Sequence, residues 1–439
     1  MDYALVLGGG GAKGSYELGV YKALVEMNIN ITSIYGTSIG ALNGAMFVQG
    51  SIDRAETLWS HLRASDVMNI ESKIEQLLQK GGVSSTLEFM MHVISSGGID
   101  ITPLKNLLED IVDEDKVRNS PIDYGIVTFS LDNFKPQKLH KSEIEDGKLI
   151  DYLIASSALP AFKKHTIDNK RFIDGAFCDN VPLSFAVNDN ITNIIVVDIL
   201  SPGFVERTNI KGLNVIYIKN PYELKGSVLD FNQDNISFNK TLGYLDCLKA
   251  FGKLHGHRYY LDDKGEFNIN IEDKDIINIY KFFGVEINHK DIGSSKIILD
   301  KSMRIIKTYT GNDLSKENIF IAACEIAADI LGVEKIKVYS FRHLLELVYD
   351  KFDYYLNNFS NEGYLDYLKN SVLLTDRKKV LSSLFDSINR EANLIYYLKS
   401  CRDGDAPQIF RKLIGTVYPK TAIAAAFLMY IDSMRGRFI

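Results

Sequence analysis

The sequence has few cysteines, and none of them has the spacing of a metal site or a redox motif. Only four occur in 439 residues, with no CxxC pair and no histidine at ligand spacing: Cys178, Cys247, Cys324 and Cys401. Scattered cysteines of this kind indicate neither a zinc site nor a disulfide framework. No cluster of carboxylates resembles a calcium loop either. We therefore predict no metal, no cofactor and a reducing compartment, the cytoplasm.

Long apolar runs and an excess of basic charge are also missing. The longest apolar run, 422–431, is about ten residues long, whereas a helix needs about 20 to cross a bilayer. Lysine and arginine number 50 against 56 acidic residues, a net charge of −6, which gives no electrostatic footprint for nucleic acid. The first residues show none of the regions of a signal peptide. These features predict that the protein has no nucleic-acid partner. They also predict that any contact with a membrane is peripheral, at the membrane surface.

The remaining composition is that of a globular chain with alternating strands and helices. Hydrophobic residues make up 46% and charged residues 24%. Helical spacing of apolar residues follows the first two strands and recurs at 104–112. Such alternation predicts an α/β fold whose parallel sheet is covered by helices on both faces. The predicted strands are 3–7, 29–35, 124–129, 171–173, 194–199 and 215–218.

The amino-acid composition changes near residues 262–275, and this change divides the chain. That stretch is polar and turn-rich, and beyond it helical periodicity dominates, for example from Leu344 to Phe359. We predict a first domain over 1–265 and a mainly helical second domain over 270–439. A regulatory or interaction module is one hypothesis for the second domain, but its sequence does not indicate a protein partner.

The first of two glycine motifs lies directly after the first predicted strand. The segment 8–14 reads GGGGAKG and contains GxGxxG as Gly9, Gly11 and Gly14. Dinucleotide-binding folds carry the same pattern, but they also need an acidic residue about 20 positions later, which is missing here. A Walker A loop is excluded because Lys13 precedes Gly14. A non-catalytic nucleotide-binding α/β protein nevertheless remains the alternative interpretation of this loop.

The second motif, Gly36-Thr-Ser38-Ile-Gly40, is a GxSxG sequence between a strand and a helix. This is the setting of a nucleophile elbow, in which a sharp turn exposes the serine hydroxyl. A base for Ser38 is less obvious, because no histidine has a catalytic setting. His255 and His257 are the nearest candidates, and we interpret both as structural or surface residues.

An acidic residue offers a better partner for the serine. Asp174 ends a predicted strand and is followed by two small residues, Gly175 and Ala176, so that its carboxylate can project into a cleft. Taken alone, Asp-Gly is also a common turn pair, and an ordinary turn would be the simpler reading.

The glycine loop, GxSxG and DGA together resemble the patatin-like phospholipase family, particularly its bacterial members. The resemblance covers about residues 3–260 and extends through 120–128, 155–160 and 179–182, with a weaker continuation at 242–248. It implies a three-layer α/β domain and a serine hydrolase that cleaves acyl esters of phospholipids or lysophospholipids.

The resemblance also implies site residues. Ser38 and Asp174 would form a catalytic dyad without histidine, and the backbone N–H groups of Gly10 and Gly11 would form the oxyanion hole. Lys13 stands where many members have arginine, and two roles remain open for it: pairing with a lipid phosphate or anchoring the loop. The apolar segment Leu87–Ile94 is likewise open to two interpretations, a lid or acyl-chain wall that meets the bilayer, or an ordinary core helix.

Overall fold

The computed structural model describes residues 1–69, 97–262, 272–274, 276–277, 292–358, 415–416 and 418–433. The segment Leu87–Ile94 lies outside these residues. The chain forms two compact units, Met1–Lys253 and Leu254–Ile439, so the division comes about a dozen residues before the predicted boundary at 265. The reason is a short strand, Tyr260–Leu261, which pairs with Val338–Tyr339 and packs into the hydrophobic core of the second unit.

The first unit is built on an eight-stranded sheet. Its strands are β1 (Asp2–Leu7), β2 (Asn30–Thr37), β3 (Asp123–Ser130), β4 (Lys135–His140), β5 (His165–Ile167), β6 (Lys170–Asp174), β7 (Asn193–Val197) and β8 (Asn214–Ile218). The order is β5-β6-β3-β2-β1-β7-β8, with β4 paired to β3. Every predicted strand is present, and each lies within a few residues of its predicted bounds.

The prediction of a parallel sheet needs one correction, because the sheet is mixed. Strands β3, β2, β1, β7 and β8 are parallel, whereas β4 and β6 run antiparallel to β3, and β5 runs antiparallel to β6. Strands β4 and β5 were not predicted. Strand β4 reads KPQKLH and is half-buried or exposed throughout, so it lacks the apolar run that marks a strand buried on both faces.

Helices cover both faces of this sheet, which confirms the three-layer α/β architecture. The described helices of the first unit are α1 (Ser15–Glu26), α2 (Ile39–Val48), α3 (Ile52–His61), α4 (Ala64–Val67), α5 (Thr102–Ile111), α6 (Glu114–Asn119), α7 (Leu149–Ser156), α8 (Leu183–Asn188) and α9 (Gln233–Ala250). Residues alternate between the two faces along each strand. Tyr35 therefore packs against Phe185 of α8, while Ile34 and Tyr124 face Gly44 of α2.

The described part of the second unit is mainly helical. It contains α10 (Ile292–Thr310), α11 (Lys316–Ile330), α12 (Phe341–Asn358) and α13 (Pro419–Ser433), together with the two-stranded pair β9 (Tyr260–Leu261) and β10 (Val338–Tyr339). Alanine-rich faces of α11 and α13 pack in its core. Among the described helices, none is long and apolar enough to cross a membrane.

Candidate active site

Ser38 occupies a strained turn between β2 and α2. Its backbone has φ 55° and ψ −124°, a conformation that costs a non-glycine residue about 1–3 kcal/mol and persists only where the surroundings enforce it. The flanking glycines permit the turn: a Cβ on Gly40 would lie 2.4 Å from the carbonyl oxygen of Leu7, and one on Gly36 would lie 2.4 Å from that of Gly40. The structure thus places GxSxG in the strand–turn–helix setting of a nucleophile elbow.

A second serine holds this turn in place. The backbone N–H of Ser38 donates to Ser156 Oγ at 2.9 Å, and Ser156 Oγ donates to the carbonyl of Val127 at 2.6 Å. Ser156 ends α7 and is completely buried. The sequence analysis included it in the motif at 155–160 but assigned it no role.

Asp174 is the hydrogen-bond partner of the Ser38 hydroxyl. Ser38 Oγ donates to Asp174 Oδ2 at 2.8 Å, and the backbone N–H of Ala176 donates to Asp174 Oδ1, also at 2.8 Å. The carboxyl group is 1% exposed. Burial raises the pKa of Asp174, and the two hydrogen bonds lower it by a smaller amount. The resulting pKa is about 6. Near neutral pH, Asp174 is therefore an ionised base in direct contact with the candidate nucleophile.

The glycine loop leaves two backbone donors beside Ser38. The N–H groups of Gly8 and Gly9 donate to the carbonyls of Val197 and Asn180, and those of Ala12 and Lys13 donate to Val228 and Gly10. Within the described residues, the N–H groups of Gly10 and Gly11 donate to no backbone carbonyl. Gly11 adopts φ 55° and lines a cavity together with Ser38. These two N–H groups therefore have the free hydrogens that an oxyanion hole requires.

The other motif residues support this arrangement. A Cβ on Gly9 would lie 3.1 Å from Ser38 Cβ, Gly14 immediately precedes α1, and Gly175 and Ala176 form the turn that follows Asp174. The structure thus brings all the predicted site residues to the same edge of the sheet.

Lys13 is half-buried in the glycine loop, and this desolvation lowers the pKa of its ammonium group. Within the described residues, its side chain makes no ion pair and no hydrogen bond. The structure therefore shows no loop-anchoring contact by this side chain.

The Asp179-Asn180 segment ties the glycine loop to the turn of Ser38. The side-chain amide of Asn180 donates to the carbonyl of Gly9 at 3.3 Å, and the backbone carbonyl of Asn180 accepts the N–H of Gly9 at 2.9 Å. Thr37, next to Ser38, donates from Oγ1 to the carbonyl of Asp179 at 2.8 Å. The segment 179–182 carries part of the family resemblance, but its sequence did not predict this structural role.

A buried polar network lies beneath the same loop. Asn43 donates to the carbonyl of Gly14 at 2.9 Å and to Glu17 Oε2 at 2.8 Å, while Trp59 Nε1 donates to Asn43 Oδ1 at 3.0 Å. Complete burial raises the pKa of Glu17 well above its usual range. No sequence motif pointed to these three side chains, because their contacts join α1, α2 and α3.

Ser38 lines an apolar cavity. Helices α2, α3 and α5 supply half of the lining residues, and the lining includes Leu42, Met46, Leu58, Trp59, Leu62, Leu104, Leu107, Leu108, Ile111, Phe162 and Phe231. Hydrocarbon is the chemistry that such a wall accommodates best.

The described histidines of the first unit make their contacts elsewhere. His140 lies between Asp123 and Asp189, with ring nitrogens 3.2 and 3.5 Å from their carboxylates, and His165 faces Asp151. Asp123, His140 and Asp189 bring one potential metal ligand each within 4.8 Å of one another. However, both ring nitrogens of His140 already face a carboxylate.

The two histidines considered in the sequence analysis belong to the second unit. The backbone N–H of His255 pairs with the carbonyl of Leu261. The ring of His257 lies 3.3 Å from the carbonyl of Asn318, and its backbone N–H donates to the buried Glu325. These contacts are consistent with structural roles.

Comparisons with known proteins agree with this geometry. Residues 5–187 match the model of a family described as patatin-like phospholipase. The patatin-like phospholipase domain-containing protein 7 of Rattus norvegicus is 26% identical over 264 residues, which cover 58% of this chain and 18% of that protein. Neuropathy target esterase sws of Drosophila melanogaster is 24% identical over 263 residues, 58% of this chain and 17% of that protein. The chain thus spans less than a fifth of the length of these relatives.

Among solved structures, VipD from Legionella pneumophila aligns with 98% of this chain and 91% of its own, at 13% identity and a TM-score of 0.38. The family match, together with the mixed sheet and its two helical layers, confirms the predicted fold of the first unit.

Proposed function

Since residues 5–187 match the model of the patatin-like phospholipase family, we propose that the chain hydrolyses the acyl esters of phospholipids or lysophospholipids. The observation that carries the proposal is the 2.8 Å hydrogen bond from Ser38 Oγ to a buried carboxylate, beside an apolar cavity that Ser38 lines. Animal and fungal proteins are among the relatives of this chain, and a closer kinship with bacterial members stays a prediction. A location in the cytoplasm also stays a prediction.

The mechanism needs only groups already in contact. Asp174 Oδ2 accepts the proton of Ser38 Oγ as the oxygen attacks the ester carbonyl. The negative charge that develops on the carbonyl oxygen would be stabilised by the N–H groups of Gly10 and Gly11, each worth about 3 kcal/mol in comparable sites. Asp174 then returns the proton to the leaving alcohol. A water molecule activated by the same carboxylate would release the fatty acid from Ser38.

The cavity suggests how the substrate is oriented. Its apolar wall would hold the acyl chain, with the ester carbonyl at Ser38 and the alcohol part directed outwards. Lys13 carries a positive charge that is not neutralised within the described residues. It is therefore the candidate group to pair with a lipid phosphate.

A chain-length test examines this assignment of the cavity. Leu107 of α5 is half-buried in the cavity wall, so Leu107→Trp should narrow the cavity and lower kcat/KM for long-chain esters about tenfold or more. Hydrolysis of a butyrate ester should change little. Leu107→Met conserves volume and serves as the matched control. Equal losses on short and long esters would show that the cavity does not hold the acyl chain.

The alternative of nucleotide binding is decided by separate measurements. A nucleotide-binding protein should bind NAD or ATP in a calorimetric titration and should not react at Ser38 with a fluorophosphonate. We expect the reverse: labelling of wild type, no labelling of Ser38→Ala, and no heat of nucleotide binding. Unlabelled wild type without esterase activity would refute the proposed function.

A further inference from the structure

Four exposed apolar side chains lie on two loops at the active-site end of the sheet. Phe177 is 53% exposed, Leu200 38%, Phe204 60% and Val205 50%. We refer to these four residues as the apolar rim. Clustered apolar side chains in water cost free energy, and on soluble proteins they commonly mark a surface that meets a partner or a membrane.

The rim is fixed to the catalytic segment by backbone contacts. The N–H of Phe204 donates to the carbonyl of Ala176 at 2.8 Å, and the carbonyl of Phe204 accepts the N–H of Asn180 at 2.6 Å. Gly203 approaches so closely that a Cβ there would lie 2.6 Å from Asn180 Cβ. The loop of Phe204 is therefore held against the turn that follows Asp174.

The same loop also reaches the candidate oxyanion donors. It follows β7, whose last residue, Val197, pairs with Leu7 at the end of β1, immediately before the glycine loop. A Cβ on Gly10 would lie 2.3 Å from Ser201 Oγ and 2.5 Å from the side chain of Ile199. The rim thus borders the edge from which a substrate must approach Ser38.

The charges beside the rim favour a lipid surface. Arg207 and Lys211 follow Val205 in the same loop and are exposed, while Glu206 pairs with Lys138, with Nζ of Lys138 2.6 Å from Glu206 Oε2 and 3.0 Å from Asp179 Oδ2. Exposed phenylalanines with adjacent cations match the interface of a bilayer, where apolar groups enter the acyl boundary and cations meet lipid phosphates.

We propose that the apolar rim inserts into the surface of a phospholipid bilayer and so places the mouth of the cavity against the membrane. The inference rests on the proposed function, since the bilayer is the source of the substrate. It adds the surface by which the enzyme meets that source and the side chains that carry the contact.

The chain offers a matched pair of valines for the test. Val205 in the rim is 50% exposed, and Val25 is 48% exposed near the end of α1, a helix that leads away from the glycine loop to the opposite edge of the sheet. The experiment measures co-sedimentation of the full chain with vesicles of equal parts phosphatidylcholine and phosphatidylglycerol. It compares Phe204→Ser/Val205→Ser with Val25→Ser.

Phe204→Ser/Val205→Ser should lower the vesicle partition constant by on the order of a hundredfold, because each inserted large apolar side chain is worth about tenfold. Val25→Ser should bind like wild type. Hydrolysis of a soluble butyrate ester should stay within about twofold in every variant, while hydrolysis of vesicle lipid falls with binding.

A fluorescent reporter provides a second measurement. The chain's only tryptophan, Trp59, is buried, so its emission is a background against which the change in a tryptophan introduced by Phe204→Trp can be measured. Its emission should shift to the blue on addition of vesicles and should be quenched by brominated phosphatidylcholine.

The outcomes separate the two proposals. Wild type that fails to bind vesicles, rim variants that bind like wild type, or an equal loss in Val25→Ser would each overturn the role of the rim. If wild type binds through the rim but hydrolyses no soluble ester, the membrane surface stands and the proposed function fails.

Discussion

Ionisation of Asp174 should set the pH dependence of the reaction. Only the carboxylate form can accept the proton of Ser38, and burial raises the pKa of this group to about 6. For a soluble ester, kcat/KM reports ionisations of the free enzyme. We therefore expect it to rise about tenfold per pH unit below about pH 6 and to level off above.

The same shift has a consequence for stability. The pKa rises from 3.8 to about 6, and a shift of about two units corresponds to roughly 3 kcal/mol. Because the folded state binds this proton more tightly than the unfolded state, the contribution to stability is complete below about pH 4 and is lost as the pH rises through about 6. At neutral pH the folded protein therefore carries the cost of a buried, ionised carboxylate.

Asp174→Asn tests both effects at once. The amide keeps the size of the side chain and its acceptor for the N–H of Ala176, but it cannot take the serine proton. Ester hydrolysis should fall by several orders of magnitude, while the free energy of unfolding near neutral pH should rise by up to about 3 kcal/mol. Near pH 4 the two proteins should be about equally stable.

The assay combines a pH–rate profile with urea unfolding followed by the fluorescence of Trp59, the only tryptophan, which is buried in the first unit. A flat profile of kcat/KM between about pH 5 and 7 would refute the assignment of the base. So would an Asp174→Asn variant that keeps more than about a tenth of the wild-type rate. If the difference in unfolding free energy between Asp174→Asn and wild type is the same at acid and at neutral pH, the electrostatic argument is refuted.

Three further predictions concern the serines and the histidines. Ser38→Ala should abolish ester hydrolysis and leave the unfolding curve of Trp59 intact, and full turnover by the folded variant would exclude Ser38 as the nucleophile. His255→Ala, His257→Ala and the double variant should each stay within a few-fold of wild-type kcat, whereas a thousand-fold loss in a folded variant would reinstate a histidine base. Ser156→Ala leaves the N–H of Ser38 without its acceptor, at a cost of about 1–3 kcal/mol, so kcat should fall about tenfold or more with KM little changed. Ser156→Thr, which keeps the hydroxyl, should restore kcat, and equal values for both variants would show that this hydrogen bond does not position the turn.

The sequence was sufficient for the parts of the fold that have strong local patterns. Strands β1 and β7 are apolar runs buried on both faces, and the helices after Gly14 and Ser38 begin where glycines and periodic apolar residues indicate. Strands β4 and β5 could not be predicted, because they are polar and short and depend on pairing with β3 and β6. Neighbouring strands, rather than local propensity, determine such edge segments.

The same distinction applies to the site and to the boundary between the units. The motifs around Ser38 and Asp174 predicted residues that the structure places in hydrogen-bond contact. Asn43 belongs to no motif, and the motif at 155–160 did not indicate a role for Ser156, since the contacts of both residues join segments far apart in sequence. Residues 254–261 precede the polar stretch that suggested the boundary. They nevertheless belong to the second unit, because they donate hydrogen bonds to α11 and pair with β10.

The register of β3 fixes the distance between Ser38 and Asp174. Thr37 pairs with Val127, and the next residue of β3, Thr128, pairs with Asp174. The nucleophile and the base thus lie on either side of one strand, and their side chains meet across it, with Ser38 Oγ 2.8 Å from Asp174 Oδ2. A slip of β3 by one residue would reverse its faces and shift Asp174 along the sheet. In evolutionary terms, the lengths of the connecting loops are free to vary, whereas an insertion or deletion inside β3 would uncouple the two catalytic groups even if both residues were retained.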